Sequence, residues 1–181
     1  MVSIDPGLAQ LGWAAFDVTG LTKHPKTELL AGRCLAYGSV KTLPQTETVA
    51  RLSDLRDATL EAVFAVGCMP GDTLVVIEKP GRPGGYMRRG AEAFAAMAGG
   101  MAGLWLATGT LVGGFGQAGY AVEFRAPNAR NKQERWEKAV RLLTPMPAGR
   151  TNKESRDALW LGCQVMLDGR RLWAPVVPAA S

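Results

Sequence analysis

Three acidic residues in this sequence of 181 stand where acids are unusual. Asp5 closes the apolar run Val2-Ser3-Ile4, and Glu78 closes Leu74-Val75-Val76-Ile77. Asp157 lies near the C-terminus with Glu154 three residues before it. At 100° per residue, positions 154, 157, 158, 161 and 165 of a helix fall within one stripe about 100° wide. Ala158, Leu161 and Val165 read as its core face, so Glu154 and Asp157 are expected to continue that face toward the N-terminus of the helix. Carboxylates gathered at strand ends and on a core-facing stripe repel one another and are costly to desolvate. A divalent cation reverses that balance. Hard oxygen ligands favour Mg²⁺ or Mn²⁺, and two such ions about 4 Å apart clamp a scissile phosphate. One ion activates the attacking water and the other stabilises the leaving oxygen. That chemistry needs several carboxylates and no histidine.

Each acid also has a plainer use. Asp5 can open an Asp-Pro-Gly turn. Glu78 can pair with Lys79 or a nearby arginine. Glu154 can close a capping box, since Thr151-Asn152-Lys153-Glu154 has the S/T-x-x-E spacing. For Glu154 alone the cap is the better reading. Taken together, at the ends of three elements, the acids favour a metal site.

The elements that must position them follow from pattern. Val2 to Asp5 reads as a strand, Leu11 to Asp17 as a second and Arg33 to Val40 as a third, an antiparallel meander. Leu52, Leu55, Ala62 and Val66 recur at helical spacing over about Glu47 to Val66. Thr73 to Ile77 is a continuous β-branched apolar run, the pattern of a central strand buried on both faces. A loop rich in Gly, Pro and Arg runs from Lys79 to Gly90. A helix from about Glu92 to Thr108 follows, with Gly113-Gly114-Phe115-Gly116 expected to break or loosen what comes after it. Tyr120 to Arg125 is a strand, and two helices cover about Asn131 to Leu143 and Asn152 to Leu167. Strands first, then alternation with helices, predict an α/β fold with a mixed sheet flanked by helices. No repeat or second domain is visible. One domain over residues 1–173 is expected, with a Pro/Ala-rich tail at 174–181.

Composition excludes several classes. The net charge of +5 and pI of 9.4 suit an anionic partner without requiring one. Cys34, Cys68 and Cys163 are far apart and odd in number, so neither a zinc ribbon nor a disulfide framework is suggested, and buried thiols in a reducing cytosol are expected. His24 is the only histidine, which excludes HExxH and any site needing two histidines from one chain. No signal peptide is apparent. No charge occurs from Ala93 to Val122, long enough to span a bilayer, yet eight glycines within it favour a buried small-residue helix.

The loop after Glu78 carries Lys79, Arg82, Arg88 and Arg89 with Tyr86 among them. A basic loop beside a metal site suits phosphates, and its tyrosine suits stacking on an unpaired base. An ordinary solvated loop is the alternative.

The acid-bearing blocks resemble those of RuvC-family junction resolvases. Ile4-Asp5-Pro6-Gly7 followed by Leu11-Gly12-Trp13-Ala14 is similar to the family's opening hairpin, Val76-Ile77-Glu78 to its second acidic strand end, and Glu154-x-x-Asp157-Ala158-Leu159 to its terminal helix. All three occur in order over nearly the whole chain. The resemblance implies a ribonuclease H-like fold, cleavage of four-way (Holliday) DNA junctions, and a homodimer with two Mg²⁺ or Mn²⁺ ions per active site. It implies Asp5, Glu78, Glu154 and Asp157 as metal ligands. Asn131-Lys132-Gln133 resembles the family segment whose lysine lies near the scissile phosphate, which makes Lys132 a candidate for charge stabilisation and DNA contact. It also implies that the helix bearing Gly99, Gly100 and Gly103 contributes to the dimer interface, against the alternative of packing on its own sheet. Two departures stand out. Glu154 replaces the usual aspartate, and Lys79-Pro80-Gly81-Arg82 stands where an aromatic is common, leaving Tyr86 the nearest. Both are in keeping with a divergent member, a virus-encoded one included. A helicase partner and a cleavage preference are not legible.

Three rival readings are weighed. A ribonuclease H-like nuclease acting on RNA–DNA hybrids or other branched DNA differs only in substrate. An actin-like ATPase opens with a similar hairpin but needs two such domains. A non-catalytic DNA-binding module is disfavoured by the intact carboxylate set.

Overall fold

The computed structural model describes residues 1–21, 25–43, 47–80, 91–126, 132–149 and 151–168, with 91–98 and 132–134 entering as backbone only. Five strands form one sheet: β1 (Val2–Asp5), β2 (Gln10–Phe16), β3 (Cys34–Lys41), β4 (Leu74–Glu78) and β5 (Ala121–Arg125), in the order β3-β2-β1-β4-β5. β2 pairs antiparallel with β1 and β3, while β4 pairs parallel with β1 and β5. The expected meander and mixed sheet are therefore both present. β1 is central, and its short length is offset by complete burial of Val2, Ser3 and Ile4.

Among the described residues four α-helices cover the two faces: α1 (Thr48–Ala65), α2 (Ala91–Gln117), α3 (Lys132–Leu143) and α4 (Lys153–Asp168). Strand side chains alternate between faces, and the core divides accordingly. Val2, Ile4, Leu11, Trp13, Val75 and Ile77 pack with Leu52, Leu55 and Val63 of α1 and with Ala107, Leu111 and Phe115 of α2. Ala14, Phe16 and Val76 pack on the other face with Ala139 and Leu143 of α3 and with Ala158, Leu159 and Met166 of α4. Val75, Val76 and Ile77 are all fully buried, the two-faced burial that the apolar run implies. Gly162 of α4 lies directly over the Phe16 ring, and a β-carbon there would overlap the ring atoms. Small-residue contact lets α4 settle onto the sheet.

The expected break after Thr108 does not occur. α2 continues unbroken through Gly113, Gly114 and Gly116 to Gln117. Glycine costs roughly 1 kcal/mol per helical position, but Leu111 and Phe115 are fully buried from this half. Tertiary burial of two large side chains, each worth roughly 1.5–3 kcal/mol, outweighs the propensity. A β-carbon at Gly114 would meet Arg56 Cγ and Cδ at 2.5 Å, so a larger residue there would require the Arg56 side chain to shift. No described helix is long and apolar enough to cross a membrane.

All three cysteines are buried free thiols. Burial pushes Cys34 and Cys163 each up to about 12, which keeps them protonated and unreactive at neutral pH. His24 and the tail after Trp173 lie outside the described residues.

Candidate active site

The site is built by register. Ile4 of β1 pairs with Ile77 of β4, so the next residues along these parallel strands are Asp5 and Glu78. Both follow the alternation of Ser3 and Val76, and Val76 belongs to the core beneath α4. Asp5 and Glu78 therefore end adjacent strands on the α4 face, with strand spacing of roughly 4.8 Å between them. Both are half-buried.

Three contacts bring α4 to this edge. Ser3 Oγ donates a buried 2.7 Å hydrogen bond to the Ala158 carbonyl. Gly12 stands opposite Asp5 in the β1–β2 ladder, and a β-carbon on Gly12 would overlap the Glu154 carbonyl. Only a residue without a side chain admits the first turn of α4 here. Asn152 Nδ2 donates to Ser39 Oγ of β3 at 2.7 Å, and Gln10 Nε2 donates to the same hydroxyl at 3.2 Å. The start of α4 is thus clipped to β2 and β3, which carries Glu154 and Asp157 beside the strand end of Asp5.

One expectation about α4 is corrected and another is widened. The capping box lies one residue later than the spacing suggested. Ser155 N donates to Asn152 Oδ1 at 2.9 Å and Asn152 N donates to Ser155 Oγ at 3.0 Å. Asn152 is the cap and Ser155 its reciprocal partner, so Glu154 has no capping role. The core face contains the expected Ala158, Leu161 and Val165 and is wider than that stripe, since Ser155, Leu159, Gly162, Cys163 and Met166 are buried as well. Glu154 and Asp157 are half-buried on its flank. The opposite flank carries Arg156 and Trp160 toward α3. The Arg156 guanidinium stacks 5.0 Å from the Trp136 ring centre, and Lys138 Nζ lies 5.8 Å from that of Trp160.

Among the described residues, Glu78 and Glu154 enter no ion pair, so the alternative pairing of Glu78 with Lys79 is not realised. Among the same residues no three His, Cys, Asp or Glu side chains stand close enough together to hold a metal ion. What the fold presets is the placement of the backbones that carry the four acids. Their chemistry, oxygen donors without nitrogen or sulfur, fits Mg²⁺ or Mn²⁺.

Lys132 is the first residue of α3 and enters as backbone only. Lys79 is exposed, and its backbone N–H donates to the Arg125 carbonyl at 2.7 Å. Arg82, Tyr86, Arg88 and Arg89 lie outside the described residues. Sequence reasoning missed Ser3, Gly12 and Asn152 as positioning residues. The Asn-x-x-Ser spacing was a visible signal for the cap; nothing local marked the other two.

A solved structure of Thermus thermophilus RuvC in complex with a Holliday junction substrate matches with a TM-score of 0.66 at 21% identity, covering 96% of this chain and 98% of that one. The fold is that of RuvC. A second structure of T. thermophilus RuvC matches with a TM-score of 0.59 at 21% identity, covering 88% of this chain and 90% of that one. The fowlpox virus resolvase, solved with substrate Holliday junction DNA, matches with a TM-score of 0.50 at 12% identity over 91% and 97%. The RuvC likeness spans nearly the full length of both chains, so the ribonuclease H-like class expected from the acid-bearing blocks is the class observed. No family model matches the chain, and no curated protein matches it.

Proposed function

We propose that this chain is a divergent RuvC-type nuclease that cuts four-way DNA junctions with the help of divalent metal ions. The observation that carries the reading is that Asp5 and Glu78 directly follow the paired Ile4 and Ile77 at adjacent parallel strand ends, with the first turn of α4 seated on Gly12 beside them. Asp5, Glu78, Glu154 and Asp157 are the residues that would hold the ions, Mg²⁺ or Mn²⁺. Two bound ions would supply activation of water and neutralisation of charge at the scissile phosphate. Like charges keep the carboxylates apart, so the task of the protein is to hold the strand ends and α4 in register. Lys132, opening α3, would add positive charge near the phosphate. Lys79, Arg82, Tyr86, Arg88 and Arg89 form a basic segment next to Glu78 that would hold the DNA. The junction as substrate is supported by the structures of RuvC and of fowlpox resolvase, both solved with such DNA.

A homodimer of single nuclease domains, acting in the cytoplasm, belongs to the same reading. It is supported by the outer face of α2. Among the described residues, added β-carbons at Gly99, Gly109, Gly113 and Gly116 would meet nothing within 4 Å, and Trp105 and Leu106 are 46% and 53% exposed. A second copy on this face would present two centres to opposed strands of a two-fold junction.

The test is incubation of the purified chain with a synthetic four-way junction, with and without Mg²⁺ or Mn²⁺, beside linear duplex and RNA–DNA hybrid. Paired, metal-dependent nicks in the junction alone are expected. Cleavage of the hybrid in preference would reassign the substrate within the same fold. Junction binding without cleavage under any metal would leave a non-catalytic binding module.

A further inference from the structure

Along the α4 face, the row of strand ends does not stop at Glu78. In the parallel β4–β5 ladder Glu78 pairs with Arg125, the last residue of β5. Paired residues of adjacent strands point to the same face, and an ion pair confirms it for Arg125: its Nη1 lies 2.9 Å from Asp168 Oδ2 at the end of α4. The row therefore reads Gly12, Asp5, Glu78, Arg125, with Arg125 two strand spacings, roughly 10 Å, from Asp5.

The remaining donors of Arg125 are the informative ones. Its Nε and Nη2 are shielded from solvent and meet no hydrogen-bond acceptor among the described residues. These two N–H groups lie on the same edge of the planar guanidinium and form its side-on fork, the edge that takes two oxygens of one carboxylate or phosphate. Nη1, on the other side, is committed to Asp168. Desolvating a charged two-donor fork without an acceptor is costly. Yet the side chain as a whole is 25% exposed, so the fork lies close beneath the surface. Glu78, its neighbour along the row, is not its ion-pair partner among the described residues.

We propose that the Arg125 fork binds a DNA backbone phosphate flanking the one cut beside Asp5 and Glu78, with Asp168 holding the guanidinium in the orientation that leaves the fork without an acceptor of its own. The proposal rests on the nuclease reading above and extends it to a residue outside the acid-bearing blocks. At two strand spacings from Asp5, Arg125 is placed for a neighbouring phosphate along the strand. Its contribution is to grip and register the DNA, and it takes no part in bond breaking.

The experiment is junction binding without divalent metal, over a salt series, for wild type, Arg125→Met, Arg125→Lys and Asp168→Asn, each checked for an unchanged circular dichroism spectrum and melting profile. Removing the cation that neutralises a single phosphate should lower the slope of log K against log salt by about 0.9. Arg125→Met is expected to show that change, with roughly tenfold weaker binding. Arg125→Lys should keep the slope and recover part of the affinity, as a point charge without a fork. Asp168→Asn should keep the slope. An unchanged slope in folded Arg125→Met overturns the proposal. So does an Asp168→Asn variant that matches Arg125→Met in both slope and affinity, which would make Arg125 a strut between β5 and α4. Weaker Mn²⁺ binding by Arg125→Met with an unchanged salt slope would instead make Arg125 a support for Glu78, and also overturns it. If the wild type binds no DNA, both this proposal and the nuclease reading fall. If the wild type binds and cuts while the Arg125→Met slope is unchanged, only this one does.

Discussion

Gly12 of β2 is pressed so closely against the carbonyl of Glu154 in α4 that a β-carbon on Gly12 would overlap it. The neighbouring atom is helix backbone, which cannot rotate aside as a side-chain end can. Gly12→Ala must therefore lift α4 from the sheet or distort the β1–β2 hairpin opposite Asp5. Overpacking of this kind costs roughly 1–3 kcal/mol. A lower melting temperature is expected, with loss of cleavage in whatever fraction stays folded, because the lift separates Glu154 and Asp157 from Asp5. A variant that melts and cuts as the wild type does would show that this contact does not set the site.

Removing charge from the acids should separate cutting from holding. Asp5→Asn, Glu78→Gln and Asp157→Asn are each expected to abolish junction cleavage while leaving junction affinity within a few-fold, since the proposed phosphate contacts lie elsewhere. The readouts are a gel-based cleavage assay and a binding titration on the same preparation. Near-normal cleavage by any one of them removes that residue from the proposed centre.

The cap of α4 allows Glu154 to be judged by itself. Asn152→Ala removes the side-chain oxygen that accepts from Ser155 N and the amide that donates to Ser39, while the bond from Asn152 N to Ser155 Oγ can persist, and it should cost roughly 1 kcal/mol of stability. Glu154→Gln breaks no capping bond, so its melting temperature should stay near wild type while its cleavage falls. Denaturant unfolding beside cleavage rates decides. Stability loss in Glu154→Gln equal to that in Asn152→Ala would return Glu154 to a structural role.

The glycines of α2 divide between inside and outside. A β-carbon at Gly103 would lie 2.9 Å from Leu8 Cδ2, whereas one at Gly99 meets nothing within 4 Å among the described residues. Gly103→Leu is therefore expected to destabilise the chain regardless of partners. Gly99→Leu should fold normally and, if α2 is the dimer face, sediment as a monomer that nicks junctions without paired resolution. A folded Gly99→Leu dimer with full paired cleavage would place the interface elsewhere.

Residue types and spacing revealed the strands that end in Asp5 and Glu78, because an acid at the end of a β-branched apolar run is conspicuous by itself. They also revealed the meander and the buried central strand. They could not show that the two acids share a face, which depends on the parallel register between β1 and β4, a pairing between strands far apart in the chain. The helical stripe through Glu154 and Asp157 was legible, with Ala158, Leu161 and Val165 buried as expected, but the buried face is wider. Ser155 joins it because its bonds to Asn152 satisfy its polar atoms. The continuation of α2 through its glycines was hidden for a related reason. Local propensity favours a break, and the burial of Leu111 and Phe115 that overrides it belongs to the assembled core. Arg125 looked like an ordinary strand end until its pairing with Glu78 was known.

The hydrogen bond from Ser3 to Ala158 joins positions 155 residues apart. The proposed centre therefore draws on both extremes of the described chain, with Asp5 near its start and Asp157 near its finish. During synthesis the strand of Asp5 emerges early and waits for α4, and closing so long a loop is an intrinsically late event in folding. If the four acids act together, a partly made or partly folded chain has no means of cutting, whatever DNA it meets. On the proposed reading, cutting of crossed DNA strands is then withheld by construction until α4 has docked.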